Sequence, residues 1–382
     1  MADRLVLIWL IDALGFDHAG DFSFLPELER PRAPIRSVLG YSSANLPTIM
    51  SGRLPSEHGH FSMYRRAGRD GVFRPLRPWM RLATRATRRR WRLSLWVTSW
   101  LRRRGITGYF SLYDIPLDWL PEFDLCQRRD LYAPGAFDGM PGLADYMART
   151  GSARVWNWSV PEDRAFGEME EEIRRGERRV LFLYTAALDG LMHAAGPRSE
   201  AAQARRREYA ERISALLRLG RETGREVRAF VFGDHGMAPV RGAHDLMTPL
   251  RQLGLRAPQD CLYFLDSTMA RFWYAGDRAR REVEGLLAGA GYGRVIPDDE
   301  LRALGAFFPG REYGETIFVL NEGEILVPSF MSSLPVRGMH GYHPDGEHSY
   351  TVLATNVQDR AYPRDLLDLH ALLRDEIQEA VR

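Results

Sequence analysis

Apolar positions along the chain fall into short unbroken runs separated by longer helical stripes. Leu5 to Ile11 is continuous and ends on Asp12, the pattern of a strand buried on both faces of a parallel sheet. "RVLFLYTAALD", closing on Asp189, and "VRAFVFGDHG", carrying Asp234 and His235, repeat it. Between these two, Ala202, Tyr209, Ile213, Leu216 and Leu217 recur at helical spacing, with arginines and glutamates opposite. Strand, helix, strand, each strand ending in a carboxylate, predicts an α/β fold. The expected form is a doubly wound, mostly parallel sheet with helices on both faces, its chemistry beyond the C-terminal strand edge.

Two segments interrupt this alternation. Residues 61 to about 130 form an arginine-dense, tryptophan-bearing insertion, in which Leu93, Trp96, Val97, Trp100 and Leu101 share one helical face. Residues 245–335 read as a small inserted α/β cap lobe. It has strands in "CLYFLDSTMARFWYA", a helix in "RARREVEGLLAGAG" and a hairpin in "ETIFVLNEGEILVPSF". Residues 1–244 and 336–382 then make the core. No internal repeat or low-complexity linker breaks the chain.

Composition narrows the possibilities. A chain of 382 residues, 45% apolar and 27% charged, suits a large globular core with an inserted lobe. Its formal charge of +2 implies no global attraction to nucleic acid. Every basic residue is arginine, so lysine Schiff-base chemistry and a P-loop lysine are excluded. Cys126 and Cys261 give neither a disulfide framework nor a CxxC pattern and read as buried thiols. The N-terminal apolar core is too short for a signal peptide, carries Asp3 early and lacks a small-residue cleavage site. No run approaches the ~18 apolar residues of a membrane span. A soluble cytoplasmic protein is the expectation.

The candidate metal ligands are Asp12, the pair Asp189 and His193 of "DGLMH", the adjacent Asp234 and His235, and His340 in the glycine-flanked "GMHGYH". Carboxylate and imidazole sets of this kind suit Zn²⁺, or Mn²⁺ at a carboxylate-rich site. Taken singly, a DxxxH or a DHG turn is commonplace, since Asp and Gly form turns anyway. Their joint occurrence in order suggests two sites, as in two-metal phosphoryl chemistry with ions roughly 4 Å apart. "GYSSANLPTIMSGRLPSEHGH" adds Ser42, Ser43, Asn45, Thr48 and Ser51. It reads either as a polar helix cap or as a nucleophile held at a helix N-terminus. His58 and His60 at its end read as structural.

The ordered pieces "LIDALGFD", "SSANLPTIMSGRLPSEHGH", "DGLMH", "GDHGM" and "GMHGYHP" resemble the alkaline phosphatase superfamily. The resemblance is closest to its type I phosphodiesterase/nucleotide pyrophosphatase branch. It spans residues 10–344 sparsely and leaves the 61–130 insertion uncovered. It implies two divalent ions, zinc first and manganese as the alternative. Asp12, Ser42, Asp234 and His235 would hold one ion, and Asp189, His193 and His340 the other. In the family pattern a hydroxyl nucleophile sits three residues before an asparagine and nine before a small residue and glycine. Asn45 and Ser51-Gly52 therefore indicate Ser42, with Ser43 as the neighbouring alternative. Ser42 would form a phospho-enzyme, helped by the helix N-terminus, and Asn45 would donate to a non-bridging phosphoryl oxygen. In the cap lobe, Asp266, Ser267, Thr268, Arg271 and Phe272 are expected to help shape the leaving-group pocket.

The branch usually has threonine as nucleophile, whereas serine occurs in the phosphomonoesterases, so diester and monoester substrates both stay open. The sulfatase Cys/Ser-x-Pro-x-Arg signature is absent, because Ser43, Ala44 and Asn45 follow Ser42. The expected activity is a metal-dependent phosphoric ester hydrolase acting on a small-molecule or lipid- or polymer-linked ester. The alternatives are a phosphomonoesterase or phosphotransferase, or an anionic-surface-binding protein with a relict site. Residues 65–104 carry fourteen arginines against one acid, Asp70. They read either as a solvated arm or as a peripheral contact with an anionic membrane, and nucleic acid is disfavoured.

Overall fold

The computed structural model describes residues 4–17, 25, 27–28, 33–83 and 90–380. The expected α/β core is present. β1 (Arg4–Ile11), β4 (Ala153–Trp156), β5 (Val180–Thr185), β6 (Glu226–Phe232) and β15 (Leu353–Thr355) form one sheet in the order β15-β6-β1-β5-β4. β1 is parallel to β5 and β6, β4 is parallel to β5, and β15 closes the edge antiparallel to β6.

Alternate side chains of β1 point to opposite faces. Leu5, Leu7 and Trp9 pack with α6 (Glu162–Arg175), α7 (Ala187–Ala195) and α8 (Glu200–Glu222). Val6, Ile8 and Leu10 pack with α1 (Ser42–Ser51), α5 (Leu143–Arg149) and α12 (Leu366–Glu379). Both faces are thus covered, which is why the strands read as unbroken apolar runs.

The parallel register pairs Ile11 with Thr185 and Leu10 with Phe232, so three strands end at one edge. Asp12 follows β1 directly and Asp234 lies just past β6. Asp189 does not end a strand, contrary to the sequence reading; it sits in the first turn of α7. The reason is Glu162, whose Oε1 accepts the N–H groups of Ala186 and Ala187 at 2.8 Å each and starts the helix early.

A second, antiparallel sheet has the order β11-β12-β10-β9, built from β9 (Cys261–Leu265), β10 (Met269–Tyr274), β11 (Gly293–Val295) and β12 (Thr316–Leu320). α9 (Met247–Gln252), α10 (Asp277–Ala288) and α11 (Asp298–Ala303) accompany it in the chain. The hairpin expected in "ETIFVLNEGEILVPSF" does not form. β13 (Glu324–Leu326) leaves the sheet and pairs in parallel with β8 (Gly242–His244). Gly323, at φ +90°, redirects the chain, and its carbonyl accepts the Arg241 N–H at 2.7 Å. β7 (Ala238–Pro239) pairs with β14 (Gly338–Met339), which returns His340 to the end of β6.

After the short α2 (Pro55–His58), the insertion is not a free arm. β2 (Tyr64–Arg66) pairs with β3 (Phe123–Leu125), and α3 (Arg77–Ala83) and α4 (Arg90–Arg103) follow β2. Phe73, Met80, Val97 and Leu101 share one hydrophobic cluster with Phe264, Trp273 and Phe318 of the second sheet. The single apolar face expected for α4 is therefore divided: Val97 and Leu101 are buried, while Trp96 is 46% exposed. The side chain of Leu93, together with Arg85, Arg88 and Arg89, lies outside the described residues. No described helix is long and apolar enough to cross a membrane. Cys126 and Cys261 are buried free thiols.

Candidate active site

The shared strand edge assembles two adjoining clusters, Asp12-Asp234-His235 and Asp189-His193-His340. In the first, the chain leaves β1 through Ala13 in the left-handed region, φ 61°, unusual for a residue with a Cβ. That turn aims the Ala13 N–H at Asp234 Oδ1, 3.1 Å away, and the His235 N–H reaches the same oxygen at 3.0 Å. Asp12 Oδ2 accepts the Tyr184 hydroxyl. Each carboxylate thus has one oxygen tied down, while Asp12 Oδ1 and Asp234 Oδ2 are buried without a hydrogen-bond partner.

Those orphan oxygens lie 3.6 and 3.2 Å from His235 Nε2. His235 Nδ1 faces the Gly236 carbonyl at 2.9 Å, and a carbonyl only accepts, so Nδ1 carries the proton and Nε2 is left bare. Ser42 Oγ is 2.9 Å from that Nε2. Ser42 is the first residue of α1 and not its cap; Tyr41 holds the N-cap position.

The second cluster uses the same device. His193 Nδ1 donates to the Gly338 carbonyl at 2.8 Å, turning Nε2 to Asp189 Oδ1 at 3.3 Å. His340 Nε2 approaches that oxygen to 3.6 Å, and its Nδ1 is buried without a partner. The His340 and His235 rings stack at 3.9 Å and join the clusters.

These side chains fit two divalent cations. Four-coordinate ions with bonds of about 2.0–2.1 Å hold their ligand atoms about 3.3 Å apart, close to the spacings here. Buried oxygens without partners are costly unless a cation receives them. Burial, then the charges of Asp234 and Asp189, raises the Asp12 pKa well above the carboxylate range. Burial, opposed by the Ala13 N–H and aided by Asp189, pushes Asp234 up to about 7. Asp189 goes the other way: burial raises it, but His193, His340 and His235 outweigh that and hold it low. Burial lowers His193, yet Asp189 carries it up to about 9. Burial and His235 push His340 down.

Beyond the clusters opens a cavity of about 310 Å³, lined by Tyr109, Tyr113, Tyr132, Tyr184 and Trp158, with Ser42, Ser43 and Ser62 at its wall. No arginine is among its described lining residues, in a chain whose only strong bases are arginines. Once ionised, the three carboxylates repel phosphate, and His193 is the one imidazole held charged among them. Bound dications reverse that sign.

Two groups of expected residues turn out differently. Asn45 does not face the cavity. It is fully buried, its Nδ2 donating to the carbonyls of Tyr41 (3.0 Å) and Gly40 (3.4 Å) and its Oδ1 accepting from Val38 N. Asn45 clamps the loop that positions Ser42, and its amide hydrogens are not free for a phosphoryl oxygen. Of the five residues expected there from the second lobe, Asp266 alone reaches the cavity wall, held by Arg271 at 2.8 Å and Ser62 at 3.3 Å. Ser267, Thr268, Arg271 and Phe272 lie buried behind it. His58 is buried and His60 half-buried, both outside the two clusters. His58 Nε2 meets Thr48 Oγ1 at 3.1 Å, and burial lowers the His60 pKa to about 4.

Thr268 nevertheless matters. Its N–H donates to Tyr41 Oη at 2.9 Å, and its Oγ1 lies 2.7 Å from that oxygen and 3.1 Å from the carbonyls of His340 and Gly341. One buried hydroxyl thus links the cap of the Ser42 helix to the His340 turn. Tyr41, Tyr184, the tyrosine wall and this role of Thr268 have no local sequence signal, because their partners lie far away in the chain.

Residues 32–285, well over half of the chain, match the type I phosphodiesterase/nucleotide pyrophosphatase family. The fold is similar to that of murine ectonucleotide pyrophosphatase/phosphodiesterase 5, with a TM-score of 0.65 and 14% identity over 98% of this chain and 95% of that one. An inactive variant of the murine protein in complex with AMP gives 0.65 and 15% over the same shares. The human protein gives 0.65 and 14% over 98% and 94%. No curated protein sequence matches. With its fold and both clusters in place, the chain belongs to the type I phosphodiesterase/nucleotide pyrophosphatase family of the alkaline phosphatase superfamily, hydrolases of phosphoric ester bonds.

Proposed function

We propose that the protein hydrolyses phosphodiester or pyrophosphate bonds with Ser42 as nucleophile and two divalent cations, zinc first, at the two clusters. The supporting observation is Ser42 Oγ at the start of α1, 2.9 Å from His235 Nε2 and beside the orphan oxygens of Asp12 and Asp234. When bound, the cations neutralise the carboxylates, favour the serine alkoxide and draw charge from the phosphoryl oxygens. Ser42 Oγ gives up its proton and bonds to phosphorus while the ester bond to the leaving group breaks. The leaving oxygen departs and takes up a proton. Water then adds to the phosphorus of phospho-Ser42, the Oγ–P bond breaks, and Ser42 regains its proton. The first turn of α1 lends its field to the developing charge. The tyrosine-lined cavity favours a flat or apolar organic group on the phosphate, and the AMP bound by the murine variant is of that kind.

The test is turnover of paired aryl phosphodiester and monoester substrates, then nucleotide and lipid-linked esters, by protein reloaded with Zn²⁺ or Mn²⁺. Acid quench and peptide mass spectrometry then locate the phosphate. Diester cleavage with phosphate on Ser42 is the expected result. Exclusive monoester cleavage or transfer to an acceptor alcohol makes the protein a phosphomonoesterase or phosphotransferase. No turnover with either metal identifies the site as relict.

A further inference from the structure

The insertion has an outward side that the catalytic reading does not use. A surface helix normally turns polar groups to water. Here Leu95 is 62% exposed and Trp79 of α3 66% exposed, with Trp96 also outward. By helical register Leu95, Trp96, Ser99 and Arg103 share the side of α4 opposite the buried Val97 and Leu101. Arg104 lies over the Trp100 ring at 4.6 Å. Together with Arg69, Arg74 and Arg128 it lines a cavity of about 350 Å³. Asp70 is the one acid there, and Arg128 donates to its backbone carbonyl. Arg65, Arg77 and Arg128 are paired with acids. Arg66, Arg69, Arg74, Arg103 and Arg104 are exposed and have no carboxylate partner among the described residues.

We propose that the insertion, through these exposed apolar side chains and the arginine-lined cavity, docks on an anionic phospholipid bilayer. Trp79, Leu95 and Trp96 enter the interfacial layer, and the arginine-lined cavity receives a lipid phosphate. Exposed tryptophan and leucine amid unpaired arginines, with Asp70 the one acid lining the arginine cavity, match a surface that is negative outside and apolar beneath. A nucleic-acid backbone would satisfy the arginines but offers nothing to Leu95 and Trp79. The chain's total charge of only +2 confines the attraction to this face. Docking would also place the catalytic mouth near the membrane. Arg102 Nη1 donates to the carbonyls of Ile106 and Gly108, at 2.9 Å each, and so ties the end of α4 to the segment leading to Tyr109 of the catalytic cavity.

The full chain is sedimented with vesicles of phosphatidylcholine alone and with added phosphatidylserine, at low and raised salt. This readout is independent of catalysis, so it fails or succeeds separately from the proposed function. Pelleting only with the anionic vesicles, weakened by salt, is the expected result. The double variant Arg74→Gln/Arg104→Gln should lower the partition coefficient roughly thirtyfold. Trp79→Ala/Leu95→Ala should lower it roughly tenfold. Both should keep the wild-type circular-dichroism melting temperature, and a variant that does not is replaced by the single substitutions. No pelleting, equal pelleting on neutral vesicles, or release by duplex DNA at equal phosphate overturns the proposal.

Discussion

Ser42 and Ser43 stand side by side at the cavity wall, but only Ser42 has a partner in the Asp12-Asp234-His235 cluster. Ser42→Ala should lower turnover roughly a thousandfold or more while metal content, read by elemental analysis, stays near that of the wild type. Ser43→Ala should remain close to wild type, and the reverse outcome would move the nucleophile by one residue. Thr268 acts at one remove. Thr268→Val keeps the volume but leaves the Tyr41 hydroxyl and the carbonyls of His340 and Gly341 short of a partner. The lost hydrogen bonds should reduce kcat roughly tenfold to a hundredfold with little change in KM. Thr268→Ser should restore it, and a Ser variant as poor as the Val variant would reduce Thr268 to packing. The gathering of the carboxylates and imidazoles into two clusters was legible because most of them follow an apolar run or a glycine turn. Tyr184 was not, and Thr268 was expected at the leaving-group pocket rather than at Tyr41, since their partners lie 172 and 227 residues away. Asn45 was legible as a motif residue but misread in role, because hydrogen bonds to the loop before it absorb its amide.

Among the elements, the continuous strands were the easiest to read, since a strand covered on both faces has no polar positions to interrupt it. The β12–β13 hairpin failed for the opposite reason. Two short apolar runs around a glycine look like a hairpin, and only the distant β8 shows that β13 has another edge to join. α12 illustrates a contact invisible to periodicity. Its fully buried Glu376 receives two bonds from Arg228 of β6 and a third, at 3.0 Å, from Arg360. Glu376→Ala should strand the largely buried Arg228 and destabilise the protein by about 3 kcal/mol, measured by urea unfolding. A change within error would show that Asp359, 2.8 Å from Arg228, is a sufficient partner alone.

Across the whole molecule, the strand edge that gathers the two clusters couples stability to pH. Asp12 and Asp234 have raised pKa values, so the folded chain keeps protons that the unfolded chain has already released. The stability these two groups lend the ion-free protein should therefore fall as the pH rises from the ordinary carboxylate range toward about 7. His193, raised to about 9, adds stability below the ordinary histidine range that is lost as the pH climbs to that value. His340 and His60, pushed down by burial, act with the opposite sign below the ordinary histidine range. Thermal melts of the chelated protein should therefore fall from that range up to about 9, and Zn²⁺ should raise the curve and flatten it. Parallel curves with and without metal would separate the clusters from ion binding. The core was legible at this scale, while the union of the insertion with the second sheet was not, because Val97 and Phe264 meet only in the folded cluster. That union, and the Tyr41–Thr268 pair in particular, bears on how such a molecule can be recombined. A chimaera that grafts another lobe onto this core must bring a hydroxyl to the Thr268 position, or the graft will fold and still leave the Ser42 helix unkeyed. The lobe is thus no exchangeable cassette, and Tyr41 and Thr268 should be gained or lost in descent as one unit.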